Sequence, residues 1–166
     1  MTTVNFIKLF AFIVLASLLG SCQKSAEIEL TQSFDGVDAE LWEHFANFEK
    51  EAAKRGMTID LAAAGITGSI EKIHTPGLVG ICNHKVDTPN HVMIDSDFWN
   101  TASESAREMI IFHELGHCYL HRGHNDAAHA DGTCSSIMRS GRGGCVDFYT
   151  NSKRSNYLDE LYVEGK

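Results

Sequence analysis

The stretch Ile111-Phe112-His113-Glu114-Leu115-Gly116-His117 carries two histidines four positions apart, with a glutamate directly after the first. On an α-helix, residues four apart stand one above the other on the same face, so His113 and His117 can aim ring nitrogens at one ion. H-E-x-x-H is a two-histidine clamp for zinc. Glu114 would then lie beside the ion rather than on it, where its carboxylate can take a proton from water at the metal. In a chain with nine histidines the same letters can also arise as polar residues on a surface helix, so the surroundings have to decide.

A catalytic zinc usually has three protein ligands and one open position. His121 and His124 are the nearby candidates. On a continuing helix His121 would lie about 12 Å along the axis from His113, whereas zinc–nitrogen bonds are about 2 Å, which makes it a poor ligand. Gly123 suits the left-handed turn that ends a helix and sends the chain back, which would bring His124 under the metal. The expected set is therefore His113, His117 and His124 around Zn2+, with Glu114 as general base.

Helices and strands must hold these groups. Thr101-Ala102-Ser103-Glu104 has the capping-box pattern, and the helix it starts runs through Ala106, Met109, Ile110 and Phe112 into the motif. Upstream, residues 66–73, 78–82 and 91–95 read as short strands of a small sheet. Thr75-Pro76-Gly77 and Asp87-Thr88-Pro89-Asn90 separate them as hairpin-type connections. His74, His84 and His91 fall at strand ends or in loops and read as ordinary polar residues. Before the sheet, Leu41, Trp42, Phe45, Phe48 and Ala52 recur at spacings of three and four, giving an amphipathic helix over 38–55 with Gly56 as its C-cap. Residues 152–163, with Tyr157, Leu158, Leu161 and Tyr162, read as a closing helix. Asp126, His129 and Asp131 lie in a polar loop, and the glycines between 141 and 144 suggest a mobile segment beside the cleft.

From His113 to Met138 the chain resembles the metzincin clan of zinc peptidases, whose motif is H-E-x-x-H-x-x-G-x-x-H followed by a methionine-containing turn below the metal. His113, Glu114 and His117 match position by position, and Ser136-Ile137-Met138 resembles the methionine turn. Leu120 stands at the clan's glycine and Gly123 at its third histidine, so His124 comes one residue late. Ser140 stands where some members carry a tyrosine that reaches the metal. The order of N-terminal helix, small mixed sheet, active-site helix, methionine turn and C-terminal helix gives a small α+β domain with the metal in a cleft between the sheet edge and that turn; the resemblance implies that this domain is of zincin type. It also implies hydrolysis of peptide or protein substrates by a zinc endopeptidase. Glu160 is the alternative third ligand, as in gluzincin-like peptidases. A reading from another class is a non-catalytic surface protein that binds a partner, with any zinc only structural.

The amino terminus adds an address. Lys8, an apolar run over 9–19 and Leu19-Gly20-Ser21-Cys22 resemble a bacterial lipoprotein signal over 1–21, with Cys22 lipidated, 22–33 a tether and 34–166 the domain. The expected location is the cell envelope, membrane-anchored by lipid, with Gln23 and Lys24 favouring the outer membrane. Setting Cys22 aside leaves Cys82, Cys118, Cys134 and Cys145, an even set in an exported chain. Of the three possible pairings, Cys134 with Cys145 and Cys82 with Cys118 is favoured. The formal charge of -8 argues against nucleic acid as partner, and a chain of 166 residues needs no second domain; a monomer is expected.

Overall fold

The computed structural model describes residues 32–85, 88–141, 147 and 149–163. The expected signal over 1–21, Cys22, most of the expected tether, and Cys145 therefore lie outside the described residues. Among the described residues Phe34 is the first that is buried, and it stands edge-on to Phe45 with ring centroids 5.5 Å apart. Among the described residues, no helix is long and apolar enough to cross a membrane.

The domain is α+β. Helix α1 (Trp42–Ala53) follows one 3-10 turn at Ala39–Leu41. It presents Phe45, Phe48 and Ala52 to the core, as their helical spacing requires. Strands β1 (Thr67–Glu71), β2 (Gly80–Lys85) and β3 (Thr88–Asp95) come next, then α2 (Ser96–Thr101), α3 (Glu104–Cys118) and α4 (Arg154–Leu161).

The sheet is mixed, in the order β1-β3-β2: β1 runs parallel to β3, and β2 antiparallel to it. This corrects the first of the two expected hairpins. Thr75-Pro76-Gly77 does not join neighbouring strands, because β3 pairs between β1 and β2. The second connection does join a hairpin, although β3 already begins at Thr88, inside the stretch expected to be a turn. Alternation explains why β3 takes the centre: Val92 and Ile94 are fully buried on one face of the sheet.

Two further corrections concern helix starts. Thr101 ends α2 rather than starting the motif helix, and its hydroxyl donates back to Asp97 O. The N-cap of α3 is Ser103, whose Oγ accepts from Ala106 N at 3.3 Å, while Asp95 caps the unexpected α2 by accepting from Phe98 N at 3.0 Å. Both are the residue types that caps favour, so the competing cap two residues away misled the sequence reading. The closing helix is shorter than expected, Arg154–Leu161 instead of 152–163.

Helix α3 lies against β2 and β3 and against α1. Phe48 of α1 meets Phe112 of α3 edge-on at 5.1 Å and Tyr162 at 5.1 Å, so the residue before His113 is fixed in the aromatic core. A disulfide between Cys82 of β2 and Cys118 of α3, with Cα atoms 5.6 Å apart, ties the sheet edge to the end of the motif helix, as expected. Cys134 is also disulfide-bonded.

Candidate metal centre

The structure brings His113, His117 and His124 together. Among the described residues they form the one group of three metal-capable side chains whose ligand atoms converge, all within 4.8 Å of one another. His113 and His117 project from one face of α3 at the i, i+4 spacing. His124 reaches the same point from the segment after the helix.

That segment turns back at a residue other than the expected one. His121, not Gly123, adopts the left-handed conformation, with φ of 54°. The helix ends through Tyr119 N to Leu115 O at 2.8 Å, and Arg122 N returns to Gly116 O at 2.9 Å. Histidine is among the non-glycine types that tolerate this region, at a cost of roughly 1–2 kcal/mol. A further anchor is Asn125 N to Met138 O at 2.8 Å, which holds the residue after His124 to the turn beneath.

Hydrogen bonds decide which ring nitrogens face inward. His113 Nδ1 donates to Ile137 O at 2.6 Å, and His117 Nδ1 donates to Arg122 O at 2.6 Å. A carbonyl oxygen can only accept, so both Nδ1 atoms carry the proton and both Nε2 atoms present lone pairs. Yet His117 Nε2 lies 3.1 Å from His113 Nε2 and 3.2 Å from His124 Nε2. The His113–His117 contact sets one lone pair against another, which is unfavourable unless a positive charge lies between. Tetrahedral zinc with bonds of about 2.0–2.1 Å would separate its nitrogen ligands by roughly 3.3 Å, so the donor set fits that ion in type and number, and the two separations from His117 Nε2 fit it in spacing.

Electrostatics favours the same form. Burial, together with the neighbouring His117 and His124, pushes His113 down to about 4 against the opposing pull of Ile137 O. Burial also lowers His117, opposed by Arg122 O. Neutral imidazole, the form that binds metal, is thus the state of both rings at neutral pH.

Glu114 is buried beside the histidines, with only 4 % of its surface exposed. Burial pushes its carboxyl up to about 8, and the backbone N–H of Cys82 pulls it part of the way back. A cation at the histidines adds positive potential that favours the carboxylate. Strand β2 passes so close that a Cβ on Gly80 would lie 2.6 Å from Glu114 Oε1. Gly116 is constrained in the same way from below, since a Cβ there would lie 2.5 Å from Met138 Sδ. Met138 is fully buried, directly under the motif helix.

The histidines and Glu114 open onto a cleft of about 390 Å³, with Leu78, Val79, Ile110 and Ile137 among its apolar walls. Its position, between the sheet edge and the turn around Met138, is the one expected. His84, read from sequence as an ordinary polar residue, stands on the rim of this cleft, its ring centroid 6.3 Å from that of His121. His91 is held by Thr67 Oγ1 at 2.8 Å and Ser69 Oγ at 2.9 Å, away from the cleft lining. Asp126 caps Ser140, accepting from its N at 2.7 Å, and Asp131 accepts from Thr133 N at 2.9 Å; both serve their own loops.

Glu160, the alternative ligand, is not in the converging group. One of its oxygens accepts from Arg122 Nη2 and the other from Ser136 Oγ, each at 2.5 Å. Gly80 and Arg122 have no place in the sequence reading, and Ser136 enters it only as part of the turn around Met138. A glycine in a strand was the only available signal for the first, and backbone carbonyl partners such as those of Ile137 and Arg122 leave no trace in the letters.

Compared with known proteins, the chain matches no protein-family model, no curated protein and no solved structure.

Proposed function

We propose that this chain is a zinc metallopeptidase of metzincin type, an endopeptidase carried on a lipid anchor at Cys22 in the bacterial cell envelope. The observation that carries the reading is the pair of Nε2 atoms of His113 and His117, each locked as an acceptor by its own Nδ1 hydrogen bond and set 3.1 Å apart, with His124 completing the group and Glu114 next to it.

His113, His117 and His124 would hold the zinc. When bound, it supplies Lewis-acid polarisation of a carbonyl and acidifies water. Glu114 accepts the proton from the attacking water and passes it to the leaving amine, restoring its own charge at the end of the cycle. The N–H of Cys82 keeps that carboxylate aimed, and the missing side chain at Gly80 leaves it room. The apolar walls of the cleft limit water to the face where the histidines lie.

The one-residue departure from the clan's motif has a simple physical form. In H-E-x-x-H-x-x-G-x-x-H the glycine comes three residues before the third histidine. Here the left-handed residue is His121, three before His124, so the turn and the ligand are displaced together. The exposure of His124 also favours a catalytic over a purely structural ion, because a structural site is closed on all four sides.

Replacing Glu114 by Gln removes the base and keeps the ligands. The expected outcome is one zinc per chain with peptide hydrolysis reduced at least about 100-fold. Hydrolysis at the wild-type rate in that variant contradicts the mechanism.

A further inference from the structure

Glu160 is half-buried on α4, and it gathers interactions from both segments that support the histidines. Its Oε1 accepts from Arg122 Nη2 at 2.5 Å, and the same arginine donates through Nη1 to the carbonyls of Glu160 and Leu161, at 2.5 and 2.8 Å. Its Oε2 accepts from Ser136 Oγ at 2.5 Å. Ser136 Oγ in turn accepts from Met138 N at 2.9 Å, which closes the turn. Asn125 Nδ2, next to His124, approaches Oε1 at 3.4 Å.

These contacts share a property. Arg122 O is the acceptor that orients His117, and Ile137 O, between Ser136 and Met138, is the acceptor that orients His113. The two ring orientations therefore depend on two carbonyls from separate segments, and both segments are fastened to one carboxylate. A charged hydrogen bond is stronger than a neutral one, and a bond shared between two supports fixes their separation as well as their positions.

We infer that Glu160 is a positioning residue for the metal centre: its carboxylate clamps the Arg122 and Ser136 segments so that their carbonyls aim His117 and His113 at one ion. The inference rests on the metal reading of the three histidines. Groups that orient ligands from behind typically contribute 10–100-fold to metal affinity. A residue that only holds α4 in place would change the stability of the fold and leave the affinity of the folded chain as it was.

The test is competition between the full chain and a chelator for Zn2+, for wild type, Glu160→Gln, Glu160→Ala and Ser136→Ala, with thermal unfolding of each measured without added metal. Absorption of the Co2+-loaded chain reports ligand geometry independently. Glu160→Ala is expected to bind zinc 10–100-fold more weakly with an altered cobalt spectrum. Glu160→Gln, which keeps the shape and one acceptor, should fall between it and wild type. If Glu160→Ala does not fold, Ser136→Ala, which severs one arm only, carries the test with a smaller loss of the same sign. Affinities within twofold of wild type and an unchanged cobalt spectrum, whatever the shift in unfolding temperature, overturn the inference alone. A wild-type chain that takes up no zinc overturns the metal reading and the inference with it.

Discussion

At the scale of single residues, the site depends on places where a side chain is missing. Gly80 gives Glu114 its room, since a Cβ there would lie within 2.6 Å of the carboxylate oxygen. Gly80→Ala is therefore expected to push the carboxylate out of line and lower turnover about tenfold or more while zinc content stays at the wild-type level, because the three nearest atoms that an added Cβ would meet all belong to Glu114. Equal turnover in that variant would show that the close approach has no catalytic consequence. Gly123 is the opposite case. Its backbone is not left-handed and a methyl added there would meet nothing within 4 Å, so Gly123→Ala should change the unfolding free energy by less than about 0.5 kcal/mol. A loss of roughly 1–2 kcal/mol would restore the turn to Gly123, where the sequence alone places it. H-E-x-x-H could be read directly because its geometry is local to one helix. The turn could not, since a histidine at φ 54° has no signature in the letters and glycine is the better guess.

At the scale of elements, α4 is fastened to the rest by charge. Arg154 makes a two-pronged contact with Glu108 of α3, Nε to Oε1 at 2.6 Å and Nη2 to Oε2 at 2.8 Å, and reaches Glu51 of α1 through Nη1 at 3.1 Å. Tyr149 donates to the same Glu108 at 2.7 Å. Glu51 also accepts from Lys54 and Arg55, both at 2.7 Å. Burial pushes the Glu51 carboxyl up, but the three cations together outweigh it and hold it down at about 2. A carboxylate whose folded value lies below its unfolded value of 4.5 contributes stability above that value and loses it as pH falls toward 2. The gap in urea midpoint between wild type and Glu51→Gln should therefore be full at pH 7 and shrink steadily between about pH 5 and 2. A gap that stays constant over this window would mean that the cations do not hold the carboxylate. The amphipathic helix α1 was legible from its apolar spacing, as were the three strands in outline. Their order was not, because β1 pairs in parallel with β3 across a connection that itself contains β2, and pairing between strands that are not consecutive leaves no local signal.

At the scale of the whole molecule, the helix, sheet and turn each supply one part of a site that none could form alone. Helix α3 carries two of the proposed ligands and the proposed base, the segment after it carries the third, the turn at Met138 supports the helix from below, and β2 forms the cleft wall. The α+β class and the position of the cleft followed from the order of elements in the sequence. The second tier of contacts, running from the histidines through Ile137 and Arg122 to Glu160, did not, because it joins residues up to 39 positions apart through backbone atoms. Binding to the folded state alone stabilises it, by about 2.7 kcal/mol when free zinc is at 100 times its dissociation constant, so the chain should unfold at a higher temperature with zinc than with a chelator. The most direct test of the central claim is zinc stoichiometry by elemental analysis of the purified chain, wild type beside His124→Ala. The three-histidine centre predicts one zinc per wild-type chain and a large loss in the variant. A wild-type chain that carries no zinc after incubation with it, or a variant that keeps its full share, contradicts the account.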